Sequence, residues 1–160
     1  MLVRPAVPAD AEAIRALDLA LVADGRGEVR EAADVAEVPA IRERLARGGA
    51  FVAELDGRVV GNGSLHVFTP ARCRHVASLA VGVHPDAQRR GIGRALMRRI
   101  LEEARAAGVH RLELYVRADN DRALALYRSL GFEVESVRRD FIRLADGTLL
   151  DDLCMVLLTP

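Results

Sequence analysis

Residues 75–96, HVASLAVGVHPDAQRRGIGRAL, constrain the fold more than any other stretch of the chain. They run a strand straight into a helix through a bend that holds two glycines. Alternation along 75–83 sets Ala77, Leu79, Val81 and Val83 on one face. Val76, Ser78, Ala80 and Gly82 fall on the other, a face of small residues that leaves room for a thin chain. From Ile92 the apolar positions recur at helical spacing through Leu96, Ile100 and Ala104, with a stop at Gly108. At the junction lie Gln88, Arg89, Arg90, Gly91, Ile92 and Gly93. The first N–H groups of a helix have no intrahelical partner, and the helix dipole adds partial positive charge there. Glycines let an anion come close to those groups. Arg89, Arg90 and Arg94 add full charges around the same point. The expectation is a phosphate-rich ligand at residues 88–94.

The rest of the chain supplies a sheet for this unit. Val3 to Pro5 reads as a first strand, and Asp10 as the cap of a helix carrying Ile14, Leu17 and Leu21 on one stripe. A second helix is predicted over 39–47. Residues 50–55 and 58–67 flank Asp56-Gly57, a two-residue hairpin signal. Gly61 and Gly63 inside the second of these strands imply a bulge or a close backbone approach. Residues 109–116 read as a strand, 120–130 as a helix closed by Gly131, and 132–143 and 149–158 as two strands around Asp146-Gly147. The order is strand, two helices, three strands, helix, strand, helix, two strands. That is a mixed α/β layered fold with one central sheet, expected as a single domain over 1–160.

Charge narrows the function. The chain has 23 basic and 23 acidic side chains, so it lacks the basic surplus of a general nucleic-acid binder. All the basic residues are arginine. The absence of lysine excludes a Walker A loop, a pyridoxal Schiff base and a lysine nucleophile. Cys73 and Cys154 have no zinc spacing and form no disulfide framework, which fits free thiols in a reducing compartment. His66, His75, His84 and His110 show no metal spacing, so no metal is assigned. No apolar run approaches the roughly 20 residues of a spanning helix, and the start lacks the pattern of a signal peptide. A cytoplasmic protein without membrane attachment is expected.

Two other readings of the glycine bend can be weighed on the residues. A dinucleotide fold needs a third glycine where Leu96 stands, and Val116 rather than an acid ends the next strand. A tight turn with a solvated arginine face stays open. Two blocks then carry a resemblance. Val83-His84-Pro85 followed by Gln88-Arg89-Arg90-Gly91-Ile92-Gly93-Arg94-Ala95-Leu96 resembles the acetyl-CoA signature Q/R-x-x-G-x-G/A of the GNAT N-acetyltransferases. Asn120, Ala123, Tyr127 and Leu130-Gly131-Phe132 resemble the family's N-x-x-A-x-x-x-Y-x-x-x-G-F pattern. The likeness covers about residues 50–158.

The resemblance implies a GNAT-like mixed sheet flanked by helices on both faces and acetyl-CoA as co-substrate. It implies that the backbone of Val81, Gly82 and Val83 bonds the pantetheine arm. The N–H groups from Arg89 to Arg94 would hold the diphosphate, Asn120 would touch the coenzyme, and Tyr127 would lie near the thioester sulfur. A phenol with a pKa of about 10 is protonated at neutral pH, which suits Tyr127 as the acid for the leaving thiolate. Ribosomal-protein-acetylating members carry a glutamate five residues before the asparagine; here that residue is Tyr115. Glu113, two residues back on the same strand face, is the candidate base, acting directly or through a water; a salt bridge to a neighbouring arginine is its other reading. His75, Tyr115 and Asp151 are candidates to meet the acceptor. The tail over 131–155 resembles a subgroup that acetylates amino acids or small amines in its Gly-Phe-Glu start, Arg138 or Arg139, the Gly147 turn, Asp151 and Met155, a pattern that implies Asp151 or Asp152 as the residue to meet a cationic amine. The implied function is transfer of an acetyl group to a primary amine of a small molecule or amino acid, by direct attack in a ternary complex. A protein N-terminal acetyltransferase and a non-catalytic acyl-CoA sensor are the alternatives, and a homodimer is the implied assembly.

Overall fold

The computed structural model describes residues 1–159. Strand β1 (Leu2–Pro5) is followed by helices α1 (Ala11–Asp24) and α2 (Val38–Ala46). Strands β2 (Ala50–Leu55), β3 (Arg58–Val67) and β4 (Val76–Val83) follow as antiparallel neighbours. Helix α3 (Ile92–Ala106), strand β5 (Arg111–Arg117), helix α4 (Asp121–Ser129) and strands β6 (Glu133–Arg143) and β7 (Leu149–Leu158) complete the order expected from the sequence. The strands form one sheet in the order β1-β2-β3-β4-β5-β7-β6, with β4 and β5 its parallel pair.

The expected periodicities account for the layers. Ala77 and Leu79 of β4 are buried in one cluster with Ile92, Leu96, Met97 and Ile100 of α3. Leu112, Leu114 and Val116 of β5, with Leu124 and Tyr127 of α4, join the same cluster. Helices α1 and α2 cover the opposite face, where Ile14, Ile41 and Leu45 pack on Val52. A fully buried leucine or isoleucine of this kind contributes about 2–3 kcal/mol. The glycines of β3 mark a close approach: a Cβ on Gly63 would come within 2.8 Å of Ile100 Cδ1, and one on Gly61 within 3.0 Å of Leu96 Cδ1. A register shift opposite Ala53 and Glu54 puts a bulge beside them.

Asp10 corrects its expected role. It precedes α1, but its carboxylate makes no cap bond to that helix. It accepts instead from the Val7 N–H and, through both oxygens at 2.8 Å, from the Arg4 guanidinium. A bidentate arginine outcompetes a single helix N–H for the carboxylate.

The feature that positions the site is a parting of strands. β4 pairs with β5 only over Val76–Ser78 against Arg111–Glu113. Beyond that point β4 stays with β3 up to Val83, and β5 stays with β7 up to Arg117. The facing edges of Leu79–Val83 and Leu114–Arg117 are therefore left without strand partners. Unpaired main-chain groups at the bottom of a cleft call for a polar ligand.

Candidate active site

A cleft of about 1340 Å³ opens where the strands part. One end is main chain. Val81, Gly82 and Val83 line it, and Gln88 Nε2 donates to the Val83 carbonyl at 3.3 Å, tying the following turn to the strand end. Arg89 has φ 63° and Gly91 φ 78°, both in the left-handed region. Gly91 is the N-cap residue of α3, so this conformation turns the chain into the first free N–H groups of the helix. Gly93 has a different reason to lack a side chain, because a Cβ there would meet Leu126 Cδ2 of α4 at 3.3 Å. Arg89, Gly91, Ile92, Gly93 and Arg94 all line the cleft; exposed Arg90 lies outside its lining. Arg94 Nη2 also donates to Ser129 Oγ at 3.0 Å, bridging α3 to α4.

The small-residue face of β4 does not provide the space expected of it throughout. A Cβ on Gly82 would come within 2.6 Å of Leu21 Cδ1, so α1 packs directly on that residue. The room lies at the edge of β4, where β5 has left, more than above its face.

Asn120 and Tyr127 both line the cleft. Asn120 caps α4, its side chain accepting from the Ala123 N–H at 3.2 Å. Its Nδ2 lies against Gly27, where a Cβ would approach to 2.1 Å. Tyr127 is 8% exposed, its ring against Phe132 at 6.1 Å between centroids. Burial pushes its phenol up to about 12, so it stays a proton donor throughout the neutral range.

The other side of the cleft is built from the face of β5, β7 and β6 that carries Tyr115, Arg117, Asp152 and Arg138. Glu113 is the last β5 residue paired with β4, at the vertex of the cleft rather than in its lining. It is bound to Arg111 Nη2 at 3.3 Å and accepts from the Tyr115 hydroxyl at 3.4 Å. Tyr115 lines the cleft; burial, then the charge of Glu113, raise its phenol. His75 is exposed at the closed end of the β4–β5 pair, and its carbonyl accepts from the N–H groups of His110 and Arg111. Asp151 lies outside the cleft lining, with Oδ1 on the Asp140 N–H at 2.9 Å. Its neighbour Asp152 is the cleft residue.

Sequence reasoning missed several groups here. Asp18 is buried on α1 and takes Asn62 Nδ2 at 3.1 Å and Arg30 Nη1 at 3.4 Å. A carboxylate four residues after Ile14, on the apolar stripe, was its available signal. Arg117 is 6% exposed. It binds Asp119 through Nε and Nη2 and donates from Nη1 to the carbonyls of Gly25 and Glu28 at 3.0 and 2.8 Å. It thereby pins the loop after α1 beside the cleft. Among the described residues no helix is long and apolar enough to cross a membrane, and no His, Cys, Asp and Glu cluster could hold a metal ion.

Comparison with known proteins gives this geometry relatives. The bS18-alanine N-acetyltransferase of Escherichia coli K12 is 46% identical over 67 residues, covering 42% of this chain and 45% of that protein. The chain thus spans about half the length of the curated relatives it matches. Over nearly the whole chain, a ribosomal-protein-alanine N-acetyltransferase from Brucella melitensis superposes with TM-score 0.88 at 31% identity, covering 99% of this chain and 100% of that one. The Salmonella typhimurium protein yncA, solved with its cofactor acetyl-CoA, superposes with TM-score 0.87 at 25% identity, covering 99% and 93%. The sequence model of the acetyltransferase (GNAT) family matches residues 19–132, a span that holds the parted strands, the glycine bend and Tyr127. This chain belongs to the GNAT family of acetyltransferases.

Proposed function

We propose that the protein is an acetyl-CoA-dependent N-acetyltransferase acting on a primary amine. The parting of β4 from β5 beside a buried tyrosine carries this reading. The free edge of Val81, Gly82 and Val83 suits an amide-bearing pantetheine arm, and the bend over Gln88–Arg94 suits a diphosphate. Asn120 closes the coenzyme side. Bound there, acetyl-CoA supplies an activated acyl carbon and a sulfur leaving group. Tyr127, held neutral by burial, donates its proton at the sulfur. Glu113 takes the proton of the amine through Tyr115: the phenol oxygen accepts it while its own proton passes to Glu113 Oε1. Asp151 supports the acceptor side from outside the lining, through the Asp140 N–H; His75, at the closed end of the strand pair, takes no part in it. The unpaired thiols Cys73 and Cys154 support a cytoplasmic setting.

The preferred acceptor is a small molecule. A second reading takes a protein N-terminus, supported by the full-length likeness to the Brucella melitensis enzyme. Tyr115, where such enzymes resemble one another in carrying a glutamate, speaks against it.

The test is thiol release from acetyl-CoA with a panel of amines. Release with at least one amine is expected. No release with any amine, while coenzyme A still stabilises the fold, would leave an acyl-CoA-binding module. In the same assay Glu113→Gln and Tyr115→Phe should each lower kcat/KM about 10–100-fold at pH 7. Both should converge on the parent above the pKa of the amine, where no base is needed. A deficit that persists at high pH removes the relay.

A further inference from the structure

Arg138 starts at the edge of the sheet and ends in the cleft. β6 is the outermost strand, and two strand spacings of about 4.8 Å separate it from β5. Yet the Arg138 guanidinium carbon lies 4.3 Å from the centroid of the Tyr115 ring on β5. It lies 3.7 Å from the Phe141 ring. Phe141 doubles back because β6 loses register between Arg138 and Ile142, with Asp140 at φ 53°. Asp151 holds that excursion through the Asp140 N–H. The guanidinium is thus stacked by two rings and held at its edge by Asp152, whose side chain is 5% exposed. Stacking and charge-assisted bonding together freeze a side chain that otherwise has much rotamer freedom.

The hydrogen bonds leave a distinctive remainder. Arg138 Nε, at 3.0 Å, and Nη2 both go to Asp152 Oδ2. Among the described residues Arg138 Nη1 and Asp152 Oδ1 have no partner. Tyr115, Arg138, Phe141 and Asp152 all line the cleft. A lone arginine would repel the ammonium form in which amines arrive, and a lone buried carboxylate would carry a large desolvation cost. The pair has no net charge and offers one donor edge beside one acceptor edge.

We infer that this pair reads a free α-amino acid, with its carboxylate on Arg138 Nη1 and its amino group toward Asp152 Oδ1. The inference rests on the N-acetyltransferase reading and adds the class of acceptor. It also separates a free amino acid from a peptide N-terminus, which has an amide carbonyl in place of the carboxylate.

Calorimetric titration of the protein saturated with coenzyme A tests it, with L-leucine, leucinamide and isoamylamine as probes. L-Leucine should bind at least tenfold more tightly than the other two. Arg138→Gln should erase that preference while isoamylamine keeps its affinity within twofold. The paired variant Arg138→Gln with Asp152→Asn leaves no uncompensated buried charge; it should erase the preference as well and, with the amino-group acceptor gone, also weaken isoamylamine. Failure of L-leucine to exceed leucinamide overturns the inference, as does equal weakening of all three probes in Arg138→Gln, or an isoamylamine affinity left unchanged in the paired variant. Acetylation of the same compounds is read in parallel. Tenfold selectivity without acetylation supports the amino-acid site and removes the transferase reading; acetylation without selectivity does the reverse.

Discussion

At one end of the cleft, between Val81 and Gly93, the groups that face the cavity are main-chain amides on a strand edge and a helix start. At the other end they are side chains: Tyr115, Arg117, Arg138, Phe141 and Asp152. The first end needs a particular backbone path, which neighbouring residues dictate. The second needs three strands in register and a bulge that folds one residue back over another. Main-chain recognition fits a ligand shared by many proteins, since any sequence that makes the bend makes the site. Side-chain recognition fits the partner that differs from one enzyme to the next.

Tyr127 stands between the two ends, and its replacement should have the largest effect. Tyr127→Phe should lower kcat by about 10²–10³-fold with the acetyl-CoA Kd nearly unchanged. Unchanged kcat removes the acid role. The same residue has a pH signature. Its pKa is raised from 10.0 in the unfolded chain to about 12 in the fold. The neutral phenol is therefore favoured in the folded state, and its contribution is complete below pH 10. It is lost as pH rises from 10 through about 12, roughly 3 kcal/mol in all. Denaturant titrations across that window should show this fall in the parent and a shallower one in Tyr127→Phe.

Gly91→Val probes the main-chain end. A β-branched residue at φ 78° is strained by about 1–2 kcal/mol. The substitution should raise the acetyl-CoA Kd about tenfold while leaving the affinity for acceptor within twofold. An equal loss at both ends would break the division between them.

Arg117→Ala probes the side-chain end and should have the smallest effect of the three. Freed from Arg117, the carbonyls of Gly25 and Glu28 lose their donors. Amide hydrogen exchange over residues 25–30 should quicken, and the acceptor KM should rise about fivefold, which corresponds to about 1 kcal/mol. The acetyl-CoA Kd should hold. Unaltered exchange would mean that the loop is held by Asn120 and Arg30 instead.

The same division explains what could be read from the residues alone. The hairpin at Asp56-Gly57, the helix start at Gly91 and the stripe Ile92, Leu96, Ile100 are local signals, and each element forms where its residues predict. Asn120 and Tyr127 were legible because they stand in the N-x-x-A-x-x-x-Y pattern that carries the family resemblance. The parting of β4 from β5 was not, because pairing depends on which neighbour each strand keeps, and neither strand differs in composition where it stops. Arg138 carries no local sign of its destination either. Only the register Arg117–Asp152–Arg138 across three strands, with Asp140 turning Phe141 back, brings it to Tyr115. Which of Asp151 and Asp152 enters the cleft is a question of strand phase, since a shift of one residue exchanges the two faces of the sheet.

The arginines that border the cleft, from Arg26 and Arg30 to Arg94 and Arg138, present guanidinium groups where another chain has lysines. Guanidinium groups keep their proton far above neutrality and do not attack a thioester. A protein that handles an activated acyl group would otherwise risk marking its own rim, as exposed ammonium groups lose protons and compete with the intended acceptor. With no lysine anywhere in the chain, that self-inflicted side reaction has no side-chain target, and the donor is spared for the guest.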